Sequence, residues 1–277
     1  MYMSKILKKF VSVKGQLTGL YRNKKIVADY YSKFTILKER KRDFASNQAE
    51  YMDSLRSKVA AGDYLSFDMD GDSLTYGQDE FSNDKRPTFS DPTLDTSVYR
   101  DDSIQAGVTY PEVFQAEIGE FLSNSITVRN RGVSGMHAQT NLEVWKESAG
   151  ADIHAVMLGT NDCRKNIPLE NFFDDMSKII ERRLNWGAAV VLIKPPFKRE
   201  PDKAFLGFYR DIIELLGKIY DIPVWDAEDF ITDLDRKEFF CDKVHFNSKG
   251  YQALGKGITE KFKEVLAVEQ ELKKKIQ

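Results

Sequence analysis

The 277-residue chain has few of the residues that mark several classes of protein. It has only two cysteines, Cys163 and Cys241, too few for the disulfide framework of a small secreted protein. No apolar run approaches the ~20 residues that a membrane-spanning helix needs, and none of signal-peptide length follows the basic start. The net charge of -2 gives no global attraction to nucleic acid. These absences predict a soluble cytoplasmic protein without a nucleic-acid partner.

Positive charge is concentrated near the beginning of the chain. Residues 1–60 hold 14 Lys and Arg against 5 Asp and Glu, which leaves 27 against 38 for residues 61–277. Residues 26–60 lack Gly and Pro and place apolar residues near helical spacing. The pattern predicts a basic helical extension at 1–60, followed by a domain at 61–277. The extension is expected to pack on that domain, on a second copy of the chain or on a membrane surface, and the sequence does not choose among these.

From residue 63 onward, short apolar runs alternate with helical patterns. Strands are predicted at 64–67, 125–128, 153–158, 188–193 and 222–225, and helices at 110–122, 137–148, 169–185, 204–220 and from 248 onward. The near-continuous apolar runs suit parallel strands that are buried on both faces. The alternation predicts an α/β domain with a parallel sheet, whose site lies at the carboxyl ends of the strands.

Four short segments carry the side chains that acyl transfer needs. Ser73 offers a hydroxyl nucleophile, the small residues around Gly135 offer backbone N–H groups, and Asn161 offers an amide donor. Asp242 and His245 form a carboxylate–imidazole pair at i, i+3. The segments are Gly-Asp-Ser-Leu at 71–74, Asn-Arg-Gly-Val-Ser-Gly at 130–135, Gly-Thr-Asn-Asp at 159–162 and Asp-Lys-Val-His at 242–245. The first three follow predicted strands closely.

In this order, the four segments resemble the sequence blocks of the SGNH (GDSL) hydrolase family, over residues 63 to about 262. The resemblance implies a flavodoxin-like three-layer α/β/α fold and a serine ester hydrolase. It implies that Ser73 is the nucleophile, His245 the general base and Asp242 the group that orients the imidazole. It also implies an oxyanion hole formed by the backbone N–H groups of Ser73 and Gly135 with the side-chain amide of Asn161. No cofactor is implied, and the cysteines and histidines lack the spacing of metal ligands.

A second family could claim the same stretch of sequence. Phe-Asp-Met-Asp-Gly at 67–71 resembles the haloacid dehalogenase phosphatases, with Asp68 as the nucleophile. That hypothesis gives no role to the segments at 159–162 and 242–245, so it ranks behind the esterase. Under the esterase hypothesis, Asp68 and Asp70 are expected at the end of the first strand. His137, two residues after Gly135, is the alternative base.

The predicted function is hydrolysis of a carboxylic ester that joins a short acyl group to a carbohydrate or another polar carrier. An O-acetyltransferase would use the same Ser73 intermediate, with a sugar hydroxyl as acceptor, and a non-catalytic interaction module is a further alternative. The stretch at 78–108 is long for a connection and rich in Asp and Pro, so it is expected to form a lid or wall of the pocket. Its polarity favours a carbohydrate over a long acyl chain.

Overall fold

Five parallel strands form the central sheet of the computed structural model, which describes residues 18–99, 103–197, 203–231 and 236–276. The sheet has the order β4-β1-β5-β6-β7, and a short antiparallel pair, β2 and β3, lies outside it. This is the strand order of flavodoxin-like folds, so the fold predicted from the sequence is confirmed. The strands are β1 (Leu65–Gly71), β2 (Lys85–Arg86), β3 (Gln105–Ala106), β4 (Ile126–Gly132), β5 (Ile153–Met157), β6 (Ala189–Lys194) and β7 (Val224–Asp226).

Helices cover both faces of the sheet and complete three layers. Helices α5 and α11 pack with the apolar side chains of one face, whereas α8 and α9 pack with those of the other. Within the described residues, no helix has the length and apolar character to cross a membrane. The helices are α1 (18–32), α2 (Phe34–Arg40), α3 (Arg42–Ala61), α4 (Ser73–Tyr76), α5 (Tyr110–Phe121), α6 (Ala138–Val144), α7 (Thr160–Arg164), α8 (Leu169–Asn185), α9 (Lys203–Tyr220), α10 (Arg236–Phe239) and α11 (Ser248–Ile276).

The described part of the basic extension is helical and lies against the body. Helix α3 ends at Gly62, whose positive φ of 76° suits a residue without a side chain. The buried Gln48 on α3 bonds both backbone groups of Val190 in β6, donating at 2.9 Å and accepting at 2.8 Å. Pairing of β6 with β7 begins only at Leu192, so Gln48 satisfies a part of β6 that β7 does not reach. Division into domains at residue 60 stays a prediction, and residues 1–17 lie outside the described part.

Strands β1 and β4 run further than their apolar residues indicate. Asp68 and Asp70 are both fully buried in β1. Asp68 lies in the middle of the strand, so the expectation that it sits at the strand end is wrong, whereas Asp70 directly precedes the last residue, Gly71. Asp68 pairs with Arg129 and Arg131 at 2.6 Å each, and Asp70 pairs with Arg183 at 3.1 Å. Buried charge is tolerated where it is paired and hydrogen-bonded, and these arginines come from β4 and α8.

Candidate active site

Ser73 is the first residue of α4, directly after the carboxyl end of β1. The side chain of Asp72 caps this helix by accepting a hydrogen bond from Leu74 N–H at 2.9 Å. The turn is tightly packed, because a Cβ added to Gly132 of the neighbouring β4 would lie 2.1 Å from the backbone nitrogen of Tyr76. Close packing therefore fixes the Ser73 hydroxyl at the edge of the sheet, where its residue is 6% exposed.

A hydroxyl, an imidazole and a carboxylate form one hydrogen-bonded chain. Ser73 Oγ lies 2.8 Å from His245 Nε2, and His245 Nδ1 lies 2.8 Å from Asp242 Oδ2. Asp242 and His245 belong to the loop that precedes α11, and Oδ1 of Asp242 accepts the backbone N–H groups of Val244 and His245 at 2.6 Å each. These bonds hold the carboxylate within its own loop while its other oxygen faces the imidazole.

The electrostatics of this chain favour an ionised Asp242. Burial opposes its ionisation, but hydrogen bonds from the His245 ring and from the backbone of His245 and Val244 outweigh burial and lower the pKa of Asp242 to about 2. A carboxylate that stays ionised at neutral pH selects the imidazole tautomer with hydrogen on Nδ1. That tautomer leaves Nε2 free to accept the proton of Ser73.

Asn161 connects the segments before Ser73 and after Gly135. Its side-chain amide donates to the carbonyl of Met136 at 3.0 Å and to Asp72 Oδ2 at 3.3 Å. Gly135 has a φ of 77°, a backbone conformation that residues with side chains rarely adopt. The structure thus brings together the segments in which the sequence predicts oxyanion donors. Both amide hydrogens of Asn161 therefore have acceptors, and the bond to Asp72 is the longer of the two.

Asp72 and Asp162 belong to the motifs at 71–74 and 159–162, but the sequence alone predicted no role for either of them. Asp72 accepts bonds from Leu74 and Asn161, as described above. Asp162 accepts the backbone N–H of Ala138 through Oδ1 at 3.1 Å, whereas its buried Oδ2 has no hydrogen-bond partner among the described residues. Burial, supported by the Asp72 carboxylate, raises the pKa of Asp162 to about 7 against the opposing backbone hydrogen bonds. In the sequence, only the place of Asp162 in the Gly-Thr-Asn-Asp segment could have indicated that it lies at the site.

The residues of the alternative hypotheses have hydrogen-bond partners outside the group formed by Ser73, His245 and Asp242. Asp68, the nucleophile of the phosphatase hypothesis, is buried between arginines, and within the described residues no group of acidic, histidine or cysteine side chains is placed to hold a metal ion. His137 directly precedes α6, and its Nε2 lies 3.0 Å from Thr140 Oγ1 rather than at Ser73. His154 is buried in β5, with Nδ1 2.9 Å from Asp70 Oδ2.

Cys241 lies in the loop that carries Asp242, but the surroundings disfavour its thiolate. Burial raises the pKa of the Cys241 thiol well above its ordinary value, and the nearby carboxylates of Asp79 and Asp242 raise it further. A thiol held in its neutral form is a poor nucleophile and a poor redox sensor. Cys163 is buried in α7, and neither cysteine is part of a disulfide.

The long connection after α4 is anchored to the edge of the sheet. Leu94 forms a parallel bridge with Asn130 of β4, and the buried Asp91 accepts bonds from Asn130 at 3.2 Å and Gln105 at 3.0 Å. The stretch is less polar than its Asp and Pro content suggests, because it exposes several large apolar side chains. These are Phe81, Phe89, Val98, Tyr99 and Ile104. Residues 100–102 lie outside the described part, and the predicted lid role stays a prediction.

Comparison with known proteins identifies relatives of this arrangement. Residues 71–253 match the model of the GDSL-like lipase/acylhydrolase family. Similar solved structures include a lipase/acylhydrolase from Enterococcus faecalis, at 20% identity and a TM-score of 0.56, covering 72% of this chain and 96% of that one. Another is Axe2, an acetylxylan esterase from Geobacillus stearothermophilus, at 15% identity and a TM-score of 0.52, covering 71% and 93%. At these identities, the structures establish a shared fold. A search of curated proteins finds no match.

Proposed function

The chain belongs to the GDSL-like lipase/acylhydrolase family, and we propose that it is a serine esterase acting through an acyl-Ser73 intermediate. The observation that carries the proposal is the continuous chain from Ser73 Oγ to His245 and on to Asp242, with both contacts at 2.8 Å. Nucleophile, base and orienting carboxylate are then within hydrogen-bond distance without any rearrangement.

In the proposed mechanism, His245 Nε2 takes the proton of Ser73 as Oγ attacks the ester carbonyl. The negative charge that develops on the carbonyl oxygen is stabilised by the backbone N–H groups of Ser73 and Gly135 and by the amide of Asn161. Protonated His245, which the Asp242 carboxylate stabilises, then gives its proton to the departing alcohol. Water, activated by His245, releases the acid from Ser73 and restores the enzyme.

We propose a short acyl group, such as acetyl, on a carbohydrate or another polar carrier as the substrate. The support is chemical: Ser73 contacts His245 and follows Asp72, whose carboxylate accepts a bond from Asn161, whereas a long acyl chain would need an apolar channel. Axe2 from Geobacillus stearothermophilus, which shares the fold, is an acetylxylan esterase.

The proposal is tested by measuring hydrolysis of p-nitrophenyl acetate by the wild type and by Ser73→Ala. Loss of the nucleophile should lower turnover by about 10⁴-fold or more. Ser57→Ala, an exposed serine on α3, is the matched control and should keep full activity. A phosphonate probe should label the wild type at Ser73 and leave Ser73→Ala unlabelled.

Persistent hydrolysis by Ser73→Ala would overturn the assignment of the nucleophile, and an absence of any phosphonate adduct on the wild type would indicate a non-catalytic module. The same assay with added sugars separates hydrolysis from transfer. Free acetate supports the esterase, whereas acetyl found on the sugar would establish an O-acetyltransferase.

A further inference from the structure

Helix α7 attaches two consecutive side chains to the segment that follows Gly135. Asn161 Nδ2 donates to the carbonyl of Met136 at 3.0 Å, and Asp162 Oδ1 accepts the backbone N–H of Ala138 at 3.1 Å. The two bonds therefore hold this segment against α7 at two points that lie two residues apart. Because the segment continues directly from Gly135, the same bonds position both the Asn161 amide and the Gly135 backbone, which are two of the proposed oxyanion donors.

The second carboxyl oxygen of Asp162 lies in surroundings that favour a neutral group. The residue is 1% exposed, and its buried Oδ2 has no hydrogen-bond partner among the described residues. A buried carboxylate with one unpaired oxygen is costly, and such a group takes up a proton instead. Oδ1 then keeps its bond to Ala138, while the proton resides on Oδ2.

The titratable groups around Asp162 come from three elements. They are Asp72 from the turn before α4, Tyr209 from α9, which packs against α7, and Cys163 from α7 itself. Helix α6 contributes the backbone N–H of Ala138. Burial raises the pKa of Asp162 to about 7 against the opposing backbone hydrogen bonds, and the negative charge of Asp72 raises it further. Both carboxyl groups are almost fully buried, so the charge of one is felt by the other.

The charge on Asp162 matters because Asn161 already contacts one carboxylate. Asn161 Nδ2 donates to Asp72 Oδ2 at 3.3 Å, beside its bond to Met136. A second negative charge on the next residue would oppose the charge that develops on the ester oxygen, and buried charges are weakly screened. A neutral Asp162 avoids this repulsion and still accepts the N–H of Ala138.

We propose that Asp162 is a positioning residue of the oxyanion hole, which its protonated carboxyl group supports and its ionised form impairs. This role rests on the proposed esterase function and makes turnover at the same site fall as the pH becomes alkaline. Ser73, His245 and Asp242 keep their hydrogen bonds when Asp162 ionises, so the loss belongs to stabilisation of the transition state.

The first test compares the pH dependence of kcat/KM on p-nitrophenyl acetate for the wild type, Asp162→Asn and Asp174→Asn. Asp162→Asn keeps an oxygen for Ala138 N–H but cannot ionise, whereas Asp174→Asn removes an exposed carboxylate of α8. The wild type and Asp174→Asn should lose about tenfold or more between pH 7 and pH 9, as the protonated fraction of Asp162 falls. Asp162→Asn should keep its activity over this range. Circular dichroism at each pH verifies that the proteins are folded.

A second comparison separates positioning from a general loss of stability. Asp162→Ala removes the acceptor of Ala138 N–H, so kcat at pH 6.5 should fall about 10- to 100-fold with little change in KM. Asp162→Asn, which restores an acceptor at this position, should recover most of that kcat. Gln48→Ala loses buried hydrogen bonds between α3 and β6, outside the proposed site, and should keep the kcat of the wild type.

The possible outcomes distinguish the role of Asp162 from the esterase function on which it rests. An alkaline loss of equal size in Asp162→Asn and the wild type would overturn the role, as would equal kcat values for Asp162→Ala and Gln48→Ala. The absence of any alkaline loss in the folded wild type would overturn it too, and that measurement needs no substitution. Failure of the wild type to hydrolyse p-nitrophenyl acetate at any pH would overturn the proposed esterase itself.

Discussion

Asn161 is the one side chain among the proposed oxyanion donors. Its amide already bonds the carbonyl of Met136 and the carboxylate of Asp72. If Asn161 acts in the proposed oxyanion hole, we expect the oxyanion to replace Asp72, whose 3.3 Å bond is the longer of the two. We predict that Asn161→Ala lowers kcat on p-nitrophenyl acetate by ~10²–10³ with little change in KM, because the lost interaction belongs to the transition state. Steady-state kinetics measure both constants.

The control for this prediction is Asn185→Ala, an exposed position at the end of α8. It should leave both constants unchanged, and melting temperatures verify that both variants are folded. A rise in KM at constant kcat for Asn161→Ala would assign Asn161 to ground-state binding and contradict a role in the oxyanion hole.

Asp162 makes stability depend on pH in a defined direction. Its pKa is about 7 in the folded protein and ~3.9 in an unfolded chain, so the folded state holds the proton more tightly. The contribution of Asp162 to stability is therefore fully present below about pH 4, and on the order of 3 kcal/mol of it should be lost as the pH rises to above 7. Asp162→Asn keeps an acceptor for Ala138 N–H without the titration, so its advantage over the wild type should grow across that range.

Thermal unfolding between pH 4 and pH 8 measures this difference, with Asp174→Asn as the control, since Asp174 is an exposed residue of α8. A difference between Asp162→Asn and the wild type that is the same at every pH would show that Asp162 does not titrate in this range. The expected pH dependence would then be wrong.

Short motifs predicted the candidate catalytic side chains that the structure brings into hydrogen-bond contact, but not how their hydrogen bonds are distributed. Ser73 and His245 are 172 residues apart, so only the resemblance to a family linked them before the structure gave their 2.8 Å contact. The engagement of Asn161 by Asp72 and the unpartnered oxygen of Asp162 depend on tertiary distances. No spacing in the sequence encodes such distances.

At the level of elements, apolar runs predicted all five strands of the main sheet but misjudged two of their ends. The apolar run that predicts strand β1 ends at Phe67, with Asp68 and Asp70 expected at the strand end. The strand continues to Gly71 since Arg131 and Arg183 neutralise both carboxylates inside the fold. Burial alone would raise the pKa of Asp70. Arg183, Arg131 and His154 outweigh burial and hold this pKa far below its usual range. A partner more than 60 residues away is invisible to a local pattern.

The connection at 78–108 shows that composition does not predict which side chains are exposed. Its Asp and Pro content predicted a polar stretch, yet it buries Asp79, Asp91 and Gln105 while exposing Phe81 and Phe89. The buried carboxylates are consumed by internal bonds, for example from the backbone N–H of Thr93 to Asp91 at 2.8 Å. Composition therefore did not indicate that this element also presents large apolar side chains to solvent, beside exposed polar residues such as Asp84 and Lys85.

Across the whole molecule, the separation of charge along the sequence is partly cancelled in space. The basic extension pairs with the acidic body through Lys38 with Asp221 at 2.5 Å and Lys58 with Asp152 at 2.5 Å, and through Lys41 with Glu181. Partly exposed pairs of this kind contribute only about 0–1 kcal/mol each, so they orient the extension more than they stabilise it. Buried contacts must supply the larger share, and Gln48 is the most specific of these.

Replacing Gln48 tests whether the extension is integral to the fold. Gln48→Ala removes the partners of both backbone groups of Val190, which is fully buried in β6. Each unpaired backbone group costs about 1–3 kcal/mol, so the free energy of unfolding should fall by on the order of 2–4 kcal/mol in denaturant titrations. Glu50→Ala, an exposed position on the same helix, should change it by less than about 0.5 kcal/mol.

Because the extension and the sheet share this contact, the wild type should unfold in one transition. Equal stability of the two variants, or a separate early transition for the extension, would instead support an independent domain at 1–60.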